Sequence, residues 1–289
     1  MSHFKTLLLF TCGLLLAGSP ALAQSSTSKP KVLRGPATAP LAGVAQVDLP
    51  AGFAFLNGAD YRKLKKAEGE PVSGQEAGFL SPTNEDWAVV FEFANIGYVK
   101  DDDKDKLNAD KLLESIKRGT AEANKVRARS GIPPIEVVGW EMPPKYHETT
   151  HNLEWAIRGT SEGHPILNYN TRLLGRKGVM EVVLIVDPDK LSATLPEFRN
   201  LLTGYSFQTG QTYAEFLPGD KVAKVGLGAL VLGGAAVGAA KLGLFTWLLV
   251  FLKKGWKLVV VAFAAVATFI KNLVARIFGR RKAQPGTGT

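Results

Sequence analysis

The chain has 289 residues, 35 Lys or Arg against 26 Asp or Glu, a formal net charge of +9 and one cysteine. That length admits one or two domains, and a lone cysteine excludes a disulfide framework and any cluster ligated by several thiolates. The positive charge is sequestered, with eleven Lys or Arg and no acid from Lys221 to Thr289, so it argues for anionic lipid rather than nucleic acid.

Residues 1–23 begin MSHFK, continue through the apolar run TLLLFTCGLLLAG and end in Ala21-Leu22-Ala23. A basic start, a short apolar stretch and an A-x-A site describe a cleavable secretory signal. The run is shorter than the ~20 residues a spanning helix requires. Cys12 lies inside it, preceded by Leu9-Phe10-Thr11, a poor lipoprotein acceptor, so cleavage is expected after Ala23. The exported remainder then has no thiol and must be held by its apolar core. Residues 24–42, opening QSSTSKPKVLRGPATAP, read as a flexible leader with little to bury.

Residues 43–217 change character. Short strand-like runs appear at VAQVD, FAFLN, GFLSP and WAVVFEF, with a short helix expected over Tyr61–Glu68. After the acidic stretch DDDKDK, Leu112, Leu113, Ile116, Thr120 and Ala123 recur at helical spacing, and Gly131 with Pro133-Pro134 ends that helix. Four further strands follow at IEVVGW, LEWAIRG, ILNYNTRLL and VMEVVLIVD, then a helix over Leu191–Leu202. Strands, helix, strands and helix in that order predict an α+β fold, a mostly antiparallel sheet with flanking helices. Residues 24–220 carry 23 basic against 26 acidic residues, so this body is mildly acidic.

Residues 147–151 spell HETTH, which fits the H-E-x-x-H pattern of zinc hydrolases. That pattern works when a helix sets both imidazoles on one face with the Glu beside the metal. Here Pro143-Pro144 stands upstream, Thr149 and Thr150 are β-branched, and Leu153, Trp155 and Ile157 alternate downstream. The context predicts a turn entering a strand, with a zinc-dependent envelope hydrolase using His147, Glu148 and His151 as the alternative. A third ligand is only guessed at Glu162 or Glu181, and His164 is off the usual spacing. The carboxylates of Asp101–Asp105 lack the glycine and the final glutamate of a calcium loop, so they read as a solvated helix entrance. Trp140, Tyr146 and Trp155 read as sheet aromatics rather than a binding groove. No catalytic, cofactor-binding or metal residue is therefore assigned.

Residues 221–252 read as a transmembrane anchor. From Val225 to Leu252 only Lys241 interrupts the apolar run, enough for a helix of about 42 Å against a hydrocarbon core of ~30 Å. Gly234 and Gly238 form a G-x-x-x-G pair, a face for close helix approach and self-association. Residues 253–289 form a basic and apolar tail, in which KKGWK would stay in the cytoplasm and residues 258–270 lie at the inner interface or return across it.

Several segments, in order, carry a resemblance. LPAGFAFL, WAVVFEF, GYVKDDD, Gly139-Trp140, HNLEWA, NYNTRLLGRKGV and YAEFLPGDKVAKVGLGALVLGG together resemble a bacterial family of uncharacterised membrane-anchored proteins with a domain of unknown function, over most of residues 43–250. The resemblance implies a signal peptide, a periplasmic domain and a C-terminal membrane anchor, and supplies no reaction or functional residue. An Asp commonly follows the Tyr that matches Tyr146 in that family, where this chain has His147. The order of elements also resembles the PsbP and Mog1 type of α+β sandwich. The expectation is a periplasmic binding or envelope-assembly domain tethered to the inner membrane, with the lipid bilayer and an envelope protein as partners, and not with nucleic acid.

Overall fold

Alternating burial along the strands, read with their register, builds the architecture. The structure is a computed structural model and describes residues 30–233 apart from 68, 69, 71 and 130. Its strands are β1 (Val32–Arg34), β2 (Ala37–Leu41), β3 (Ala45–Leu49), β4 (Phe53–Asn57), β5 (Glu76–Pro82), β6 (Ala88–Ala94), β7 (Glu136–His147), β8 (Asn152–Ser161), β9 (His164–Leu174), β10 (Val179–Ile185) and β11 (Tyr205–Phe207). The α-helices are α1 (Gly58–Ala67), α2 (Ala109–Arg129), α3 (Leu191–Thr203) and the short α4 (Leu227–Val231). Eight strands form one antiparallel sheet in the order β1-β4-β5-β6-β10-β9-β8-β7, and β11-β3-β2 form a second. The fold is α+β with a large antiparallel sheet and few helices.

Each face of the large sheet buries a different partner. Val89, Phe91, Met180, Val182, Leu184 and Tyr169 point into a core closed by Leu41, Val47 and Leu49 of the small sheet and by Phe198 and Leu201 of α3. On the opposite face, Leu56, Phe79 and Val90 pack with Tyr61 of α1. Leu153, Trp155, Ile157 and Val179 of that same face pack with Ile116 of α2 and with Leu227, Leu230 and Val231 of α4. Trp155 and Phe198 are both fully buried, and truncating either to alanine would remove about 3–5 kcal/mol.

Between the α1 and α2 cores the sheet carries charge. Register pairs Glu76 with Glu92, Glu92 with Glu181, and Glu181 with Arg172 across four adjacent strands. Arg172 Nη2 meets Glu181 Oε2 at 3.0 Å, and its guanidinium lies 4.9 Å from the Trp155 ring centroid. The buried Glu76 carboxylate accepts the N–H groups of Ser73 and Gly74 and is flanked by Lys65 at 3.6 Å. Burial pushes the Glu92 carboxyl above its ordinary range, and the charges of Glu181 and Glu76 add to that rise.

Three expectations change. The leader reading of residues 24–42 fails over Val32–Leu41, where β1 and β2 join the sheets and Ala39 and Leu41 are fully buried. Small residues alternate in and out there, and Pro40 is tolerated because β2 is an edge strand. The domain therefore starts before residue 43. Strand β7 runs straight through Pro143-Pro144, again at a sheet edge, where register shifts skip both prolines. At the other end the domain continues past residue 217 into the segment 221–252 assigned to the anchor. Lys221 and Ala223 bond to the Tyr98 backbone, and α4 inserts three apolar side chains into the α2 core before Gly233 ends it at φ +81°. An apolar sequence fits a membrane and a protein core equally well, and here residues 225–231 fill the core. Among the described residues no helix is long and apolar enough to cross a membrane. Residues 1–23, the Gly234/Gly238 pair and residues 253–289 lie outside the described residues.

Candidate functional site

The HETTH stretch is not helical. His147 ends β7, Glu148 to His151 make the turn and Asn152 opens β8, as the flanking prolines and β-branched residues predict. His151 takes φ +50°, a turn conformation that removes any one-face i,i+4 relation between the two rings. The three polar residues go to three different partners. His147 Nε2 donates to Glu154 Oε1 at 3.0 Å, Glu148 Oε2 accepts Lys104 Nζ at 2.7 Å, and His151 Nδ1 meets the Tyr146 hydroxyl at 3.1 Å. Glu162, Glu181 and His164 do not complete a set: among the described residues no three metal-binding side chains gather. The geometry does not fit a zinc centre.

Two networks flank the turn. In the first, Glu154 of β8 accepts the Tyr169 hydroxyl at 2.7 Å, His147 Nε2, and Arg199 Nη2 of α3 at 3.2 Å. Burial pushes Glu154 upward, but the Tyr169 and His147 hydrogen bonds with the Arg199 charge outweigh it and hold its pKa below normal. Glu154→Ala is expected to cost about 1–3 kcal/mol in equilibrium denaturation, because the buried Tyr169 hydroxyl loses its acceptor. His147→Ala, which removes a single bond from a partly exposed pair, should cost less than ~1 kcal/mol.

The second network ties the turn to the chain's last described segment. Tyr146 donates its hydroxyl to Asp101 Oδ2 at 2.9 Å. With that one proton spent, His151 Nδ1 carries the hydrogen shared with the Tyr146 oxygen. The His151 ring lies 4.3 Å from Tyr213, which stacks at 4.4 Å on Tyr98, which in turn meets Phe216 at 4.3 Å. Tyr213 donates its hydroxyl to the Val99 carbonyl at 2.9 Å, and burial pushes its pKa upward. Asp103 accepts the N–H groups of Leu227 and Gly228 and so caps α4. The Asp101–Asp105 stretch is thus a clamp on the C-terminal segment, beyond the solvated entrance its composition implies; α2 is capped instead by Asn108.

A third contact completes the seam. Arg176 meets Asp220 through two bonds of 2.6 and 2.9 Å, and that guanidinium, with the Leu217 N–H, holds the Asp220 carboxyl down at about 2. Gly97, at φ +99°, lets the chain pass where a Cβ would lie 2.5 Å from the Lys221 carbonyl oxygen. Trp155 is fully buried and Trp140 donates its ring N–H to the Ala109 carbonyl, so neither forms a groove.

Tyr98, Tyr213, Phe216, Arg176 and Asp220 escape a sequence reading because their partners lie far along the chain. The one local signal was Thr212-x-x-Glu215, whose reciprocal capping bonds set the short turn that presents Tyr213.

Comparison with known proteins adds a family and no activity. The chain is similar to the solution structure of cyanobacterial PsbP (CyanoP) from Synechocystis sp. PCC 6803, at 11% identity and a TM-score of 0.36, over 69% of this chain and 99% of that one. No curated protein matches it. The family model described as "Protein of unknown function (DUF2167)" matches residues 34–264, most of the chain, and the protein belongs to that family.

Proposed function

We infer that the chain is an exported, membrane-anchored binding domain that serves as an accessory in the bacterial envelope, without chemistry of its own. The observation that carries this reading is the seam: residues 213–231, which lead into the apolar residues 234–252, are fastened to the domain by Tyr213, Asp103 and the Arg176–Asp220 pair. A tether built this way fixes how the domain stands on its support. The signal-like residues 1–23 and the acid-free, basic chain end support export of the body with the tail left in the cytoplasm. After Gly233, residues 234–252 remain for a span, about 28 Å of helix against a core of ~30 Å. Its Gly234/Gly238 face would bring a second copy close.

Cysteine accessibility in whole cells tests the orientation. Glu114 is exposed on α2, and in a Cys12→Ser background Glu114→Cys would be the chain's one thiol. A membrane-impermeant maleimide should label it in cells whose inner membrane is intact. Labelling only after that membrane is broken would place the body in the cytoplasm and overturn the reading.

A further inference from the structure

Among the described residues four large apolar side chains are exposed, Val138, Leu217, Val222 and Leu232, and three of them lie between residues 217 and 232, just before the apolar residues 234–252. Leu217 begins the turn that Asp220 closes, through the Leu217 N–H to Asp220 Oδ2 bond of 2.8 Å and the Asp220 N–H to Leu217 carbonyl bond. Val222 follows directly, held beside Tyr98.

Exposed cations share this stretch of chain and the cavity beside it. Lys177, Lys221 and Lys224 are all exposed, and among the described residues none of them takes part in an ion pair. Of the nearby carboxylates, Asp220 is paired with Arg176, Glu215 accepts the Thr212 N–H and hydroxyl, and Asp103 accepts the Leu227 and Gly228 N–H groups. Lys221 and Lys177 line a shallow cavity of about 230 Å³ with Asn95, Gly97, Arg176 and Asp220. The body as a whole is mildly acidic, so this local excess of positive charge is set against the trend of its own domain.

We propose that the face formed by Lys177, the Leu217–Asp220 turn, Lys221, Val222 and Lys224 docks on the anionic headgroups of a phospholipid bilayer, seating the domain on the membrane that anchors it. The inference rests on the anchored reading above and adds the surface and the lipid chemistry to it. Two observations select a bilayer as the occupant. The apolar residues 234–252 follow soon after the short helix that Lys224 introduces, so this face stands close along the chain to where it would meet lipid. Lysines among exposed leucine and valine match an interface that is anionic at its headgroups and apolar beneath them. The seam removes slack between the domain and its tether, so one face is presented repeatedly at short range, and weak contacts then act as intramolecular ones.

The test uses the full chain in nanodiscs, one set of phosphatidylcholine alone and one containing phosphatidylglycerol. Leu217→Cys in the Cys12→Ser background carries an environment-sensitive fluorophore, and Glu114→Cys serves as the distant control. The expected result is a blue shift at position 217 in the phosphatidylglycerol discs, quenched by spin-labelled lipid, absent at position 114, and lost with Lys177→Glu and Lys221→Glu together. If the chain enters the discs and position 217 reports water in both lipids, the docking surface is refuted and the anchored reading stands. If the chain fails to enter either disc, the anchored reading falls and this surface falls with it.

Discussion

Arg172→Met is expected to destabilise the protein by about 3–5 kcal/mol at neutral pH, the range for stripping one partner from a buried ion pair. Arg172 is 3% exposed and is the cation facing Glu181, which stands in register with Glu92. Without the guanidinium two neighbouring carboxylates would face each other in the sheet interior. Methionine retains much of the packing on Trp155, so the loss would be electrostatic rather than a cavity. Adding Glu181→Leu to the variant should restore most of the stability, since removing both charges also removes the unpaired one. Denaturant titration of the four-member cycle decides it; simple additivity would show that the pair is not coupled.

The same row sets a pH dependence. Glu92 has a folded pKa raised above its unfolded value, so the native state binds more protons across the interval between the two. Its contribution to stability is therefore least favourable above the folded value. The penalty fades as pH falls through the ordinary glutamate range. Glu92→Gln should accordingly stabilise the protein at neutral pH and make no difference in acid below about pH 4. A gain that grew on acidification would contradict the burial and like-charge origin of the shift.

Tyr213→Ala should have a comparable effect with a different signature. The side chain is buried between Tyr98 and His151 and its hydroxyl serves the Val99 carbonyl. Its removal is expected to cost about 3–5 kcal/mol, as for other large aromatics. Because the loss falls on the seam, residues 214–231 should detach before the sheets melt. Limited trypsin digestion of the variant should cut first at Lys221 and Lys224, leaving a stable body. Tyr213→Phe keeps the stacking and should lose about 1 kcal/mol, for one hydrogen bond. Equal trypsin resistance of the alanine variant and the wild type would mean that the segment is held elsewhere.

Much of this fold is visible in period-2 and helical patterns. The strands β3 to β6 and β8 to β10, the first half of β7, and the helices α1, α2 and α3 fall where alternation or i,i+3/i+4 spacing predicts them. What is missed shares one cause, a local sequence whose meaning depends on distant partners. Residues 32–41 look like a polar leader, since alanine, threonine and proline bury little; they become strands by pairing with β3 and β4. Residues 225–231 look like lipid-facing helix, and only Asp103 and the α2 core make them part of the domain. HETTH was decided by its neighbours, while the separate fates of His147 and His151 follow from Glu154 and Tyr146, which no spacing rule connects to a motif.

The large sheet has two rims, one formed by the three-residue β1 and the other by β7 with its paired prolines. A rim that is too brief, or that lacks two consecutive amide hydrogens, is a poor template for grafting on an extended peptide. A companion protein meeting the large sheet would then be recognised face-on, by side chains, rather than by lengthening that sheet. The same bluntness works against edge-to-edge fibre growth through this sheet.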